Sequence, residues 1–117
     1  MVNWENVASY YDDLGKDKPS LRTLAQWLRA QRSRLGNCRA MISHGVLHIY
    51  KEGRPDVCVR VWNCAVKEYL EASFISRWKI GEVTHERIES VHAVHSAISP
   101  CLDQFLDRLC YETDGRT

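Results

Sequence analysis

Between residues 70 and 80 the chain alternates. Leu70, Ala72, Phe74, Ser76, Trp78 and Ile80 hold the even positions, and Glu71, Ser73, Arg77 and Lys79 the odd ones, broken only by Ile75. A helix of 3.6 residues per turn would scatter this pattern around its circumference, whereas a strand puts all the even side chains on one face. The segment is therefore read as a strand with one buried side, and the rest of the chain must supply what covers it.

The flanking sequence divides by period. Met41 to Tyr50 is rich in strand formers, Val57 to Cys64 alternates Val57, Val59 and Val61 against Cys58, Arg60 and Trp62, and Lys51-Glu52-Gly53-Arg54-Pro55-Asp56 between them reads as a hairpin connection. Before these runs, Trp4, Val7, Ala8, Tyr11 and Leu14 recur at helical spacing behind the capping residue Asn3, and Gly15 ends the helix. A second helix is expected from Ser20, with Leu21, Leu24, Leu28 and Leu35 on one stripe and Gly36-Asn37 as its stop. After Gly81 the sequence is read as helical again: Thr84 caps a segment carrying Ile88, Val91, Val94 and Ile98. Ser99-Pro100 then opens a last helix with Leu102, Phe105, Leu106 and Leu109 inward. The expected fold is α+β: two N-terminal helices, a three-stranded antiparallel β-meander, and two C-terminal helices packed on one face of the sheet. Residues 1–112 form one expected domain and 113–117 a frayed tail. The two open edges of so small a sheet make a homodimer a candidate state.

Composition excludes several classes. With 44% hydrophobic and 26% charged residues in 117, the chain has the means for a core and is neither disordered nor collagen-like. No apolar run is long enough to span a membrane, and the N-terminus lacks the pattern of a secretory signal. Five irregularly spaced cysteines are an odd set that does not suggest a disulfide framework. They are read as reduced, with an exposed thiol linking two copies as the minor alternative. The expected location is the cytoplasm, or the host cell interior if the source is a phage or virus.

Charge is uneven along the chain. Residues 16–39 hold Lys16, Lys18, Arg22, Arg29, Arg32, Arg34 and Arg39 against Asp17 alone, although the whole protein carries a formal charge of only +1. Clustered arginine on a helix suits phosphates or an acidic partner, because a guanidinium donates two parallel hydrogen bonds to an oxyanion. The candidate binding residues are Arg22, Gln26, Arg29, Arg32, Arg34 and Arg39, with Arg60 and Trp62 as a secondary surface on the strands. The competing reading is ordinary solvation of an outer helix face.

Within this segment Trp27-Leu28-Arg29-Ala30-Gln31-Arg32 resembles the core of the helicase-associated repeat, a small helical module, and the resemblance implies DNA binding. The match covers about a quarter of the chain, and the strands that follow depart from that all-helical family. The first two helices are loosely similar to a helix-turn-helix, with a turn longer than that motif uses. The order helix, meander, helix resembles the double-stranded-RNA-binding fold, but Thr84-His85-Glu86-Arg87 lacks its Lys-rich helix start. No family is assigned on these grounds.

His85, His92, His95 and Cys101 are the one conceivable metal set, and their spacing matches no zinc pattern. Cys58 near Arg60, or Cys64 near a histidine, would need an activated thiolate to act as nucleophile, and no local motif supplies one. Phosphate loops and paired metal carboxylates are absent from the sequence, so neither cofactor nor enzymatic activity is expected. The expected function is a small binding or regulatory module contacting nucleic acid or an acidic surface through the Arg-rich helix. The alternative is a protein-targeted inhibitor, an immunity protein or a phage or viral antagonist, that docks on an enzyme or defence complex.

Overall fold

The computed structural model describes residues 2–64, 69–94 and 97–114. It contains α1 (Trp4–Leu14), α2 (Pro19–Ala30), β1 (Cys38–Ser43), β2 (Val46–Lys51), β3 (Arg54–Asn63), β4 (Tyr69–Ile80), β5 (Val83–Val94) and α3 (Ile98–Asp114). The strands form one antiparallel sheet in the order of the chain. The three-stranded meander with two C-terminal helices is thus corrected to a five-stranded meander with one.

Two local facts account for the difference. The run from Met41 to Tyr50 is folded in half by His44 and Gly45, both at positive φ (52° and 80°), which is the twist a two-residue hairpin turn requires. The segment from Thr84, expected to be helical, is instead the outer strand, and it pairs with β4 at every position from Ile80↔Val83 to Tyr69↔Val94. As an edge strand it is covered on one side at most. It therefore mixes exposed Ile88 with half-buried Val91 and shows no strict alternation that would have marked it. Helix α2 also ends earlier than expected, at Ala30, and residues 31–37 run on as turns, with Gly36 outside the left-handed region. Lys18 rather than Ser20 occupies its N-cap.

The helical ends follow from short-range chemistry. The Asn3 side chain accepts from the Asn6 amide at 3.2 Å, and the Gly15 amide donates to the Tyr11 carbonyl. Gly15 also lies where α2 comes close. A Cβ there would sit 2.9 Å from the Tyr11 carbonyl oxygen and 3.0 Å from Leu21 Cβ, so the tight junction of α1 and α2 demands glycine.

Packing then sorts the two faces of the sheet. Leu47, Ile49, Val57, Val59, Val61, Leu70, Ala72 and Phe74 join one core with Leu24, Leu28, Leu102, Leu106 and Leu109 from the helices. Helix α3 crosses β2 to β5, α2 packs beside it and on β4, and α1 packs on α2. Two indole hydrogen bonds pin these layers: Trp4 Nε1 donates to the Leu35 carbonyl at 2.9 Å, and Trp27 Nε1 to Asp103 at 2.8 Å. Phe74 sits at the centre, 5.9 Å from the Phe105 ring, with the Arg108 guanidinium 4.1 Å over its face and bound to Glu89 at 2.5 Å. The residues between these core positions on each strand point to the opposite, uncovered face. No described helix is long and apolar enough to cross a membrane.

Truncating Phe74, which is fully buried, removes both the ring packing and the seat of Arg108. Phe74→Ala should cost about 3–5 kcal/mol in urea unfolding, and a loss below about 1 kcal/mol would contradict its place at the centre of the core.

Candidate functional site

The helix arginines do not form one free patch. Arg29 donates to Glu5 at 2.8–3.1 Å and pairs with Asp12 at 2.6 Å, so α1 supplies two carboxylates to one guanidinium. Arg29 in turn holds the Glu5 carboxyl below its ordinary range. Arg34 bonds to Gln31 and pairs with Asp107 of α3. Arg22 is exposed and donates to the Lys16 carbonyl at 2.9 Å, while Gln26 is exposed beside it on α2. Arg32 lies beyond the helix end and lines a shallow depression with Val2, Asn3, Trp4, Glu5 and Gly36. Arg39 belongs to β1, and it pairs with Glu52 at 3.2 Å. Helical periodicity groups Arg22, Gln26 and Arg29, but it cannot register the acids that α1 brings to Arg29, Asp12 from 17 residues away and Glu5 from 24.

The secondary pair is better placed. Arg60 and Trp62 are both half-buried on the uncovered side of β3. The register draws rows across that side: Met41, His48, Arg60 and Ser73 in one, Arg39, Tyr50, Cys58 and Ile75 in the next. Ile75 and Cys58 are buried outside the main core, forming an apolar floor. Above that floor is a groove of about 330 Å³ lined by Met41, His48, Tyr50, Pro55, Cys58, Arg60 and Arg77. Among the described residues its walls contain two arginines and no carboxylate. Arg77 is paired with Glu86 at 2.6 Å, whereas Arg60 has no carboxylate partner among the described residues and its Nε is buried without a hydrogen-bond partner.

This electrostatic setting shifts its neighbours. Burial and then the Arg60 charge disfavour the His48 imidazolium and lower its pKa. Burial raises the Cys58 thiol, as it does the Cys64 thiol beside Glu71. A raised thiol is the opposite of what a cysteine nucleophile requires.

The candidate metal ligands are dispersed. His85 stacks on Trp78 with ring centroids 5.7 Å apart, and His92 on Tyr69 at the same separation; an odd interval along β5 puts the two histidines on opposite faces. Cys101 donates to the Ala97 carbonyl, and His95 lies outside the described residues. Among the described residues no three His, Cys, Asp or Glu side chains are grouped to hold an ion.

One exposed feature was not singled out from sequence. The β4–β5 hairpin carries Trp78, Ile80, Val83 and Ile88 at 44%, 64%, 60% and 52% exposure. The alternation that marked β4 as half-buried continues past the point where the helices cover it, so its last turns of pattern face solvent.

His48 yields a pH dependence of stability. Its pKa is lower in the folded chain than the ordinary 6.5, so on acidification the unfolded chain takes up the proton first. Its contribution is fully present above about pH 6.5 and is lost as the pH falls from there toward the folded value. The urea midpoint should therefore drop between pH 7.5 and 5.5, and His48→Gln should flatten that drop; an unchanged slope would remove His48 from the account.

No family model, no curated protein and no solved structure matches this chain.

Proposed function

We propose that the protein is a non-enzymatic binding module that holds an acidic segment of a protein partner on the uncovered face of the sheet. Arg60 is the anchoring cation, with Tyr50 and Trp62 as flanking aromatic surface and Met41, 53% exposed, as an adaptable rim. The observation that carries the reading is the unpaired Arg60 charge in a groove without a carboxylate, set against helix arginines already committed to Glu5, Asp12 and Asp107. A buried guanidinium nitrogen with no acceptor is costly, and an incoming carboxylate relieves that cost while gaining a charge-assisted bond.

The same comparison favours an acidic protein segment over nucleic acid. Tracking a phosphate backbone takes a run of free cations, since each neutralised phosphate adds to the affinity through counterion release. On this chain Arg29 and Arg34 are neutralised from within, which leaves Arg22 and Arg32 apart rather than as a continuous run, and the groove suits one or two anionic groups rather than a strand. An inhibitor that occludes an enzyme or defence complex would dock through this same face.

The test uses the chain and three variants against acidic peptides of mixed sequence and against random single-stranded and duplex oligonucleotides, read by fluorescence anisotropy at two salt concentrations. Arg60→Glu should weaken peptide binding by about tenfold or more, Arg60→Lys should weaken it less, and Arg22→Glu should leave it unchanged. Because an anion in the groove favours the His48 imidazolium, peptide binding should also tighten on acidification from neutral pH. Tight oligonucleotide binding with a steep salt dependence, lost in Arg22→Glu and kept in Arg60→Glu, would return the function to the helix and to nucleic acid.

A further inference from the structure

The outer strand β5 carries information about its own pairing. It joins β4 through the two residues Gly81 and Glu82, and the register from Ile80↔Val83 to Tyr69↔Val94 contains no bulge. A pair separated by two residues can meet only by exchanging both backbone hydrogen bonds. Val83 and each second residue after it, including Arg87 and Glu89, therefore direct N–H and C=O toward β4. Thr84, Glu86, Ile88, Ser90 and His92 direct theirs outward, where any further strand would have to bind.

We propose that β5 pairs antiparallel with β5 of a second copy about a two-fold axis at Ile88, making one continuous ten-stranded sheet. Parity restricts the choice, because outward groups must meet outward groups and a one-residue slip sets them against inward ones. Charge then selects among the allowed registers. With the axis at Ile88, Arg87 lies opposite Glu89 of the second copy, and the symmetry repeats that pair on the other side. Moving the axis to Glu86, Arg87 or Glu89 places like charges face to face, and moving it to Ser90 opposes no charges at all.

The local surroundings fit this register. Arg87 is exposed and has no ion-pair partner among the described residues, so its charge is available to the second copy. Glu89 is already held at 2.5 Å by Arg108, which would leave it between two guanidinium groups rather than unpaired. Ile88, 52% exposed, meets its own symmetry mate, and Val83, 60% exposed, falls opposite half-buried Ala93. The exposed apolar residues of β5, Val83 and Ile88, are thereby given neighbours, while Trp78 and Ile80 on β4 keep their exposure. The two uncovered faces become neighbours on one sheet, and the arrangement does not depend on what that face binds.

Sedimentation equilibrium of the full chain tests the pairing. The wild type should sediment at twice 13.6 kDa at micromolar concentration. Arg87→Glu should raise the dimer dissociation constant by about tenfold or more, and Arg87→Glu combined with Glu89→Arg should restore it. Glu89→Arg also removes the Arg108 pair, so a second, charge-independent measurement accompanies it. With Cys64, Cys101 and Cys110 replaced by serine, Ile88→Cys should form a disulfide-linked dimer under mild oxidation. Ser90→Cys, two residues off the axis, should not. A monomer at every concentration, a dimer indifferent to Arg87→Glu, or equal cross-linking by both cysteines would overturn the proposal. A monomer whose β5 amides become protected only when an unrelated strand-forming peptide is added would assign the edge to a foreign strand instead.

Discussion

The burial of one side of the sheet beneath α3 is the constraint on which the rest of the molecule depends. Phe74 lies at its centre, with Phe105 against its edge and Arg108 across its face. Arg108 also reaches Glu89, so the side chain that covers the Phe74 ring contacts the outer strand as well. Removing apolar surface from water on that side leaves the opposite side free of any packing duty. The uncovered face can therefore carry half-buried His48, Tyr50, Arg60 and Trp62.

Electrostatics is divided along the same line. The helical layer closes part of its charge internally: α1 offers Glu5 and Asp12 to Arg29, and α3 offers Asp107 to Arg34. These are exposed pairs of modest energetic value, and their main effect is to cancel a local field. The sheet layer does so incompletely. Arg77 meets Glu86 and Arg39 meets Glu52 across neighbouring strands, but Arg60 stands in a wall of Met41, His48, Tyr50 and Cys58 with no acid among them. Among the described residues that charge is left without a carboxylate beside an apolar floor, and the His48 pKa is lowered by burial first and by the same charge second.

The edge strand adds a second kind of incompleteness. Natural sheets usually guard an exposed edge with charges that repel a second copy. Here Glu86, Arg87 and Glu89 repel in most registers and attract in one, so the same residues that discourage indiscriminate pairing specify a symmetric one. Ile88 at the centre of that register is exposed where a guarded edge would place a polar residue.

Much of this was legible in the sequence, and the part that was not has a common cause. The capped first helix, the core stripe Leu21, Leu24 and Leu28, the even-numbered face of β4, and Leu102, Phe105, Leu106 and Leu109 on the last helix follow from local periodicity, because each repeats a burial decision every two or 3.6 residues. The turn at His44-Gly45 was readable in principle, since a glycine inside a run of strand formers marks a fold-back. The identity of β5 as a strand was decided by its pairing with β4, for an edge strand has no second covered face to impress a pattern on its residues. The ion pairs of Arg29 and Arg34 join positions 24 and 73 residues apart, and that Arg60 has no carboxylate partner among the described residues is likewise a fact of spatial neighbours. Residue order along the chain sets which side chains seek burial and which carry charge. Which charges meet is settled by folding, because a Coulomb interaction depends on separation in space, and separation along the chain says little about it.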